Sequence, residues 1–131
     1  ACRSLDLADA ASVRNFAAGV LERNRVKRDI VLVNNAGVMG VPEVAAEDRH
    51  LWPNHYGHFL LAGLLLPAMG PGSCLVVVAS RAHHQGLLRF GDDDSLDGAC
   101  GSGHWYRRYA RSKLCNMLFA AEWRRRLPEG P

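Results

Sequence analysis

The sequence predicts an α/β fold built on a parallel sheet. Residues 29–33 and 74–79 form short apolar runs without polar alternation, which is typical of strands that helices cover on both faces. Segments with apolar residues at helical spacing stand before, between and after these runs. Strands that alternate with helices in this order favour a parallel sheet over a sandwich or a helical bundle.

The first helix is predicted to follow Asp9, whose carboxylate can accept a hydrogen bond from a free N–H of the first turn. Its apolar stripe recurs at steps of three and four residues and consists of Val13, Phe16, Ala17, Val20 and Leu21. The second helix is expected over about residues 45–68, with a kink or break at Pro53 because proline lacks an N–H. Its wide apolar face consists of Phe59, Leu61, Leu64, Leu65 and Ala68.

The last helix is expected over residues 105–127, after a polar loop over residues 90–103. Its predicted buried side consists of Leu114, Met117, Leu118 and Ala121. The expected order is therefore helix, strand, helix, strand, helix.

The composition excludes several classes of protein. The 131 residues suit one domain, and 16 Lys and Arg against 13 Asp and Glu leave a net charge of only +3, which does not indicate a nucleic-acid partner. The four cysteines form no C-x-x-C pair, so we expect neither a zinc site nor a disulfide framework. The longest apolar run, residues 59–69, is too short for a membrane span. Without a signal peptide, we expect a protein that is cytoplasmic, or membrane-associated through an anchor elsewhere in a longer product, and not secreted.

Polar residues follow both predicted strands. Asn34-Asn35-Ala36-Gly37 comes after the first strand, and Ser80 closes the second. Because ligands of parallel α/β sheets bind at the carboxyl ends of the strands, these residues are candidates for a binding site. The small side chains of Ala36 and Gly37 would let a ligand approach the main chain.

Tyr109 and Lys113 stand four residues apart in the last predicted helix. That spacing puts both side chains on one face, about 6 Å apart along the axis. An ammonium group close to a phenol favours the phenolate, which makes Tyr109 a candidate proton donor and acceptor. The Y-x-x-x-K spacing is common by chance, but a serine and N-N-A-G at the ends of the preceding strands strengthen this interpretation.

These residues together resemble the short-chain dehydrogenase/reductase family, and within it the retinol-dehydrogenase-like members. The matching segments run through nearly the whole chain, in the order and spacing of the family: residues 5–8, 34–39, 54–61, 76–84 and 109–116. The resemblance implies a Rossmann-like, doubly wound parallel sheet. It also implies reversible hydride transfer between a nicotinamide and an alcohol or carbonyl carbon.

The resemblance implies a role for each matching polar residue. Tyr109 looks like the catalytic acid-base, and Lys113 looks like the residue that promotes its ionisation and binds the nicotinamide ribose. Ser80 would orient the substrate oxygen. Asn54 would hold a proton-relay water near the lysine. Tyr109 and Lys113 would thus contact the cofactor as well as act in catalysis.

The cofactor implied by the resemblance is NADP, with NAD possible. Asn35, Ala36 and Gly37 would line it, and Asp6 resembles the acidic residue that meets the adenine amino group. Arg3 matches an arginine that favours the 2′-phosphate of NADP. The substrate would be a small-molecule alcohol or carbonyl compound, such as a retinoid, a steroid or another lipophilic molecule. Family members commonly dimerise through the helices that contain Asn54 and Tyr109, so a homodimer is a further expectation.

The chain departs from the family in two respects, since the glycine-rich phosphate loop and, toward the C-terminus, the last strand with its P-G motif have no counterpart. No T-G-x-x-x-G-x-G loop occurs, and Ala1-Cys2-Arg3 runs almost directly into Leu5-Asp6-Leu7. We therefore expect residues 1–131 to form a partial Rossmann domain whose central first strands are absent. The strand over residues 30–33 would then be an apolar, unpaired edge that aggregates or pairs with another chain.

Other chemistries fit the residues less well. Ser80 with His83 and His84 lacks the G-x-S-x-G turn of a hydrolase serine, so nucleophilic catalysis is not favoured. His55 and His58 lack an acidic third ligand at a matching spacing, and we expect them to have surface or packing roles rather than to bind a metal. Two function classes remain: an NAD(P)-dependent oxidoreductase, or a non-catalytic interaction module that has lost dinucleotide binding.

Overall fold

The computed structural model describes residues 3–23, 26–41, 49–88 and 105–127. It confirms a mixed α/β architecture, in which helices alternate with two parallel strands. The three α-helices are α1 (Ala10–Leu21), α2 (Gly57–Leu65) and α3 (Trp105–Arg126), and the strands are β1 (Val31–Asn34) and β2 (Cys74–Val77). The predicted polar loop over residues 90–103 lies outside the described residues.

The two strands pair side by side in one direction. Val31 lies opposite Cys74, and the register continues to Asn34 opposite Val77. An isolated parallel bridge between Arg28 and Met69 extends the pairing toward the N-terminal ends of the strands. Within the described residues, β1 pairs only with β2, as expected for a strand whose other edge is open.

Within the described residues one face of this sheet is exposed, so the predicted helical cover is found there on one face only. Val31 is 67% exposed and Val33 is 53% exposed, whereas Leu32 between them packs against the hydrophobic core. Because successive side chains of a strand point to opposite faces, the described helices cover only the side that Leu32 faces. An unbroken apolar run thus indicates a strand that can be buried on both faces, but it does not show which elements pack on each face.

The core lies between α1 and α2. Val13 and Ala17 of α1 pack with Leu61 and Leu65 of α2. Asp9 caps α1 as predicted, because its Oδ1 accepts a hydrogen bond of 2.8 Å from the N–H of Ala11.

The segment before α1 also lies against α2. A Cβ added to Gly57 would stand only 2.2 Å from the carbonyl oxygen of Leu7. A side chain at Gly57 would therefore push this segment away from the start of α2.

The predicted irregularity at Pro53, a kink or a break, is present as a local departure from the α-helix. Pro53 lies in the first positions of a π-helical turn, Trp52–Tyr56, which leads directly into α2. A short 3-10 turn, Leu66–Ala68, ends α2. The predicted apolar face is correct for Leu61 and Leu65, but Phe59 is exposed to solvent rather than buried. The helix thus changes from a π-helical turn to an α-helix just after the proline, while the main chain stays helical from Leu51 to Gly57.

The prediction for the buried side of α3 is also wrong. Met117 is 44% exposed, Leu118 is 51% exposed and Ala121 is exposed, while Leu114 is half-buried. The buried side instead carries several polar residues, namely Arg111, Ser112, Lys113 and Asn116. Of these, Lys113 bonds to the main chain just after β2, and Asn116 bonds to the main chain of the π-helical turn. No helix in the described parts of the chain is long and apolar enough to cross a bilayer.

Candidate active site

Gly37, Asn54 and Lys113 meet beyond the carboxyl end of β1. A Cβ added to Gly37 would lie 2.9 Å from Oδ1 of Asn54 and 3.6 Å from Nζ of Lys113. Only glycine therefore fits between these two side chains without displacing the asparagine. The structure thus brings three of the predicted site residues together. These three and Tyr109, whose ring lies next to Lys113, are called the Gly37 cluster below.

Asn54 holds the cluster together from the π-helical turn. Its Oδ1 accepts a hydrogen bond of 2.7 Å from the N–H of Val38, and its Nδ2 donates one of 2.9 Å to the carbonyl oxygen of Val38. The same Nδ2 donates to Oγ of Ser112 at 3.0 Å, and Ser112 donates to the carbonyl oxygen of Tyr109 at 2.7 Å. One buried amide therefore connects the loop after β1 to the first half of α3.

Tyr109 and Lys113 share one face of α3, as their spacing predicts. Nζ of Lys113 lies 5.6 Å from the centre of the Tyr109 ring. The lysine is buried, and its Nζ donates to the carbonyl oxygen of Val78, just after β2, at 3.3 Å. Burial lowers the pKa of Lys113, since desolvation disfavours the ammonium form.

Ser80 belongs to a segment that packs on α3. It caps a 3-10 helix, Arg81–Gln85, and its Oγ accepts a hydrogen bond of 3.2 Å from the N–H of Ala82. That bond uses a lone pair and not the hydroxyl proton of Ser80. Gly86 lets the segment approach α3 closely, because a Cβ there would lie 2.7 Å from the carbonyl oxygen of Ala110.

The other predicted cofactor residues divide between two places. Asn35 and Ala36 are exposed in the loop that ends at Gly37, adjacent to the cluster. Arg3 lies over Gly19 of α1, and Oδ1 of Asp6 accepts a hydrogen bond of 2.8 Å from the N–H of Ala8. Within the described residues, these contacts join Arg3 to α1 and Asp6 to the segment just before α1, and neither residue to the Gly37 cluster.

The residues present fit one half of a dinucleotide. The exposed loop over residues 35–37 and the Lys113 ammonium beneath it suit a nicotinamide ribose, whose hydroxyls accept hydrogen bonds from an amine. For the pyrophosphate, the sequence supplies no glycine-rich loop after a strand. The cluster therefore offers a donor for a ribose, whereas the sequence lacks the usual phosphate-binding element.

Sequence reasoning missed a second layer of buried polar residues. Nδ2 of Asn116 donates to the carbonyl oxygen of Asn54 at 3.0 Å, and Oδ1 of Asn116 lies 3.0 Å from Nδ1 of His55. Nδ1 of His58 lies 3.2 Å from the same Asn54 carbonyl oxygen. Both histidines are buried, and desolvation is the main cause that lowers their pKa values. The available signal was the position of Asn116, three residues after Lys113 and thus on the same helical face.

No group of three or more potential metal ligands lies together among the described residues.

No family model matches the chain. Individual proteins do: retinol dehydrogenase 11 of Homo sapiens is 42% identical over 133 residues, which cover 95% of this chain and 39% of that protein. Retinol dehydrogenase 12 of Bos taurus is 42% identical with the same coverage. Polyprenol dehydrogenase of Mus musculus is 43% identical over 130 residues, covering 92% of this chain and 37% of that protein. The chain is therefore homologous over most of its length to the retinol dehydrogenases of the short-chain dehydrogenase/reductase family, although it spans only about 39% of their length.

Proposed function

We propose that the chain carries the nicotinamide end and the proton-transfer residues of an NAD(P)-dependent oxidoreductase that interconverts an alcohol and a carbonyl. The observation that carries this proposal is the Gly37 cluster, where a buried lysine lies between a tyrosine ring and a glycine that Asn54 supports. Homology to dehydrogenases supports the same reaction class. When bound, the nicotinamide would supply or accept the hydride.

The residues of the chain would handle the proton. The phenol of Tyr109 would donate a proton to the carbonyl oxygen in reduction and accept it back in oxidation. Lys113 would hold the nicotinamide ribose beside this phenol, since its Nζ lies 5.6 Å from the centre of the Tyr109 ring. Ser80 would donate a hydrogen bond from its hydroxyl to the substrate oxygen and so fix the orientation of that oxygen. Asn54 would hold a relay water next to Lys113.

The remaining cofactor contacts are proposals of the same kind. The exposed loop of Asn35, Ala36 and Gly37 would line the dinucleotide. Arg3 and Asp6, beside α1, would meet its adenosine end, and the arginine would favour NADP over NAD. The substrates named for the relatives, retinol and polyprenol, are lipophilic alcohols, which supports a lipophilic alcohol or carbonyl as the substrate here.

The alternative is a non-catalytic interaction module of the same ancestry. Two observations favour it: the sequence has no glycine-rich phosphate loop, and one face of the sheet is bare in the described residues. Such a module would fold around the same α1–α2 core but would bind no dinucleotide.

A titration separates these two functions. The purified chain is titrated with NADPH and then NADH while nicotinamide fluorescence is followed, and Lys113→Ala is measured beside it. As a matched control, Lys27→Ala removes an exposed lysine from the segment before β1. We expect micromolar binding that Lys113→Ala weakens at least tenfold and that Lys27→Ala leaves unchanged. A folded chain that binds neither cofactor would contradict the oxidoreductase and support the module.

We also propose that the chain forms a homodimer through α2 and α3. The exposed apolar residues Phe59, Met117 and Leu118 on these helices support this, since such residues are commonly covered at interfaces. Sedimentation velocity tests it: Leu118→Asp should shift the protein to a monomer, whereas Leu87→Asp, at another exposed leucine, should not. A monomer at all concentrations in the unmodified protein would contradict the dimer.

A further inference from the structure

The π-helical turn leaves the main-chain carbonyl of Asn54 turned toward α3. This oxygen accepts from Nδ2 of Asn116 at 3.0 Å and lies 3.2 Å from Nδ1 of His58. Both partners are buried side chains. The carbonyl of Asn54 is thus held by side chains from α3 and α2, while the side chain of Asn54 holds the loop after β1.

The two carbonyls around Asn116 fix the orientation of its amide. Nδ2 lies 3.0 Å from the carbonyl oxygen of Asn54 and 3.5 Å from that of Val78, and a carbonyl can only accept. The other amide atom, Oδ1, therefore faces Nδ1 of His55 at 3.0 Å and must accept from it. It follows that His55 carries a proton on Nδ1.

The same amide is adjacent to Lys113. Nζ of Lys113 donates to the carbonyl oxygen of Val78 at 3.3 Å, the oxygen that Nδ2 of Asn116 also approaches. Asn116 therefore touches the residue that supports Gly37 and shares an acceptor with the lysine. Without the amide, the carbonyl of Asn54 and the N–H of His55 would each lose a buried partner.

We propose that Asn116 is a positioning residue for the candidate site: its amide holds the main chain of Asn54 in the π-helical turn and thereby sets Asn54 and Lys113 relative to Gly37. The effect of this positioning role on cofactor binding rests on the proposed function, because Asn116 acts through Asn54 and Lys113. The bridge from His55 through Asn116 to Asn54 is a structural claim that is testable without any cofactor.

The first experiment measures the proton of His55 in the full chain. Long-range ¹H–¹⁵N spectra distinguish the two imidazole tautomers, and the signal of His55 is identified by its loss in His55→Gln. We expect neutral His55 to carry its proton on Nδ1. Protonation on Nε2 instead would overturn the proposal, because Nδ1 could then not donate to Oδ1 of Asn116 and the amide would have to be reversed.

The second experiment changes the amide with almost no change in shape. Asn116→Asp keeps an acceptor for His55 but cannot donate to the carbonyl of Asn54, and its carboxylate should raise the pKa of His55. Ala121→Asp is the matched control, because it places the same charge on the exposed side of α3, five residues from Asn116. An unchanged His55 titration in Asn116→Asp, or an equal change in both variants, would overturn the bridge.

The third measurement connects the bridge to the site. If the unmodified chain binds NADPH, Asn116→Asp and Asn116→Leu should each weaken binding roughly tenfold, the change expected when a buried hydrogen bond is lost. Ala121→Asp should leave binding unchanged. Equal affinity in folded Asn116 variants and in the unmodified chain would overturn the positioning role alone. If the unmodified chain binds nothing, the proposed function fails, and the role of Asn116 in binding fails with it, whatever the spectra of His55 show.

Discussion

Two buried asparagines differ in whether their side-chain amides are hydrogen-bonded. Asn116 of α3 and Asn34 at the end of β1 are each 1% exposed. The amide of Asn116 has partners for both atoms, in Asn54 and His55. Neither amide atom of Asn34 has a hydrogen-bond partner among the described residues. The same side chain is thus fully paired on the helical side of the molecule and unpaired beside the strand with an open edge.

This contrast shows which part of the fold the described residues complete. Around Asn54 and Asn116, every element needed to pair the buried amides is present. At the sheet, Val31 and Val33 face solvent, and the buried amide of Asn34 has no hydrogen-bond partner among the described residues. Among the described residues, the buried polar groups of the candidate site are therefore more completely hydrogen-bonded than those at the sheet.

The largest expected effect comes from comparing the α1–α2 core with the exposed face of β1. Leu61→Ala removes a buried side chain from the α1–α2 core and should lower the free energy of unfolding by about 2–5 kcal/mol in chemical denaturation. Val33→Ala removes an apolar side chain from the bare face and should change it by less than about 0.5 kcal/mol. A large loss in Val33→Ala would mean that this face is covered in solution.

The next comparison replaces each of the two asparagines by leucine. Asn116→Leu should lower the free energy of unfolding by about 1–3 kcal/mol, because Asn54 and His55 lose a buried partner. Asn34→Leu should be neutral or stabilising, since it removes a buried amide that has no hydrogen-bond partner in the described parts of the chain. Equal destabilisation by both substitutions in the same denaturation experiment would contradict the contrast between the two regions.

The pH dependence of stability should come from the helical side. Burial lowers the pKa of His55 and of His58, so below pH 6.5 the unfolded chain binds protons that the folded chain does not. Stability should therefore be fully present above pH 6.5 and fall as the pH drops toward the lowered values, by about 1.4 kcal/mol per histidine for each pH unit. In thermal unfolding at several pH values, His55→Gln with His58→Gln should reduce this slope, and His84→Gln, at an exposed histidine, should not. An unchanged slope in the double variant would refute this origin.

The smallest expected effect is at the start of α1. Asp9→Ala removes the acceptor for the N–H of Ala11 and should lower the free energy of unfolding by about 1 kcal/mol. Glu22→Ala, at the exposed other end of the helix, is the control and should change little. A loss no greater than that of the control would show that the cap does not stabilise the helix that covers the sheet.

The sequence predicted the elements whose signals are local. Asp9, the helical stripe of α1 and the irregularity at Pro53 depend on neighbours within one turn, and all three are present. The buried side of α3 was assigned wrongly because apolar periodicity cannot show that Lys113 and Asn116 find main-chain partners in distant segments. No helix of the described residues covers Val31 and Val33, and the sequence did not show this, because composition shows what a strand can bury and not which elements pack on it.

For the site, spacing alone placed Tyr109 beside Lys113, and the family resemblance added Asn54. The meeting of Gly37 with Asn54 required the fold, since the two are 17 positions apart and belong to different elements. Likewise, the roles of His55 and Asn116 depend on a contact across 61 positions, which no local pattern predicts.

The central claim is that the Gly37 cluster binds the nicotinamide end of a dinucleotide, and amide chemical shifts measured during an NADPH titration test it most directly. The account predicts that the largest shifts are at Gly37 and in the turn of α3 from Tyr109 to Lys113, with smaller ones near Arg3. Shifts confined to α1, or spread over the bare valines of β1, would contradict it.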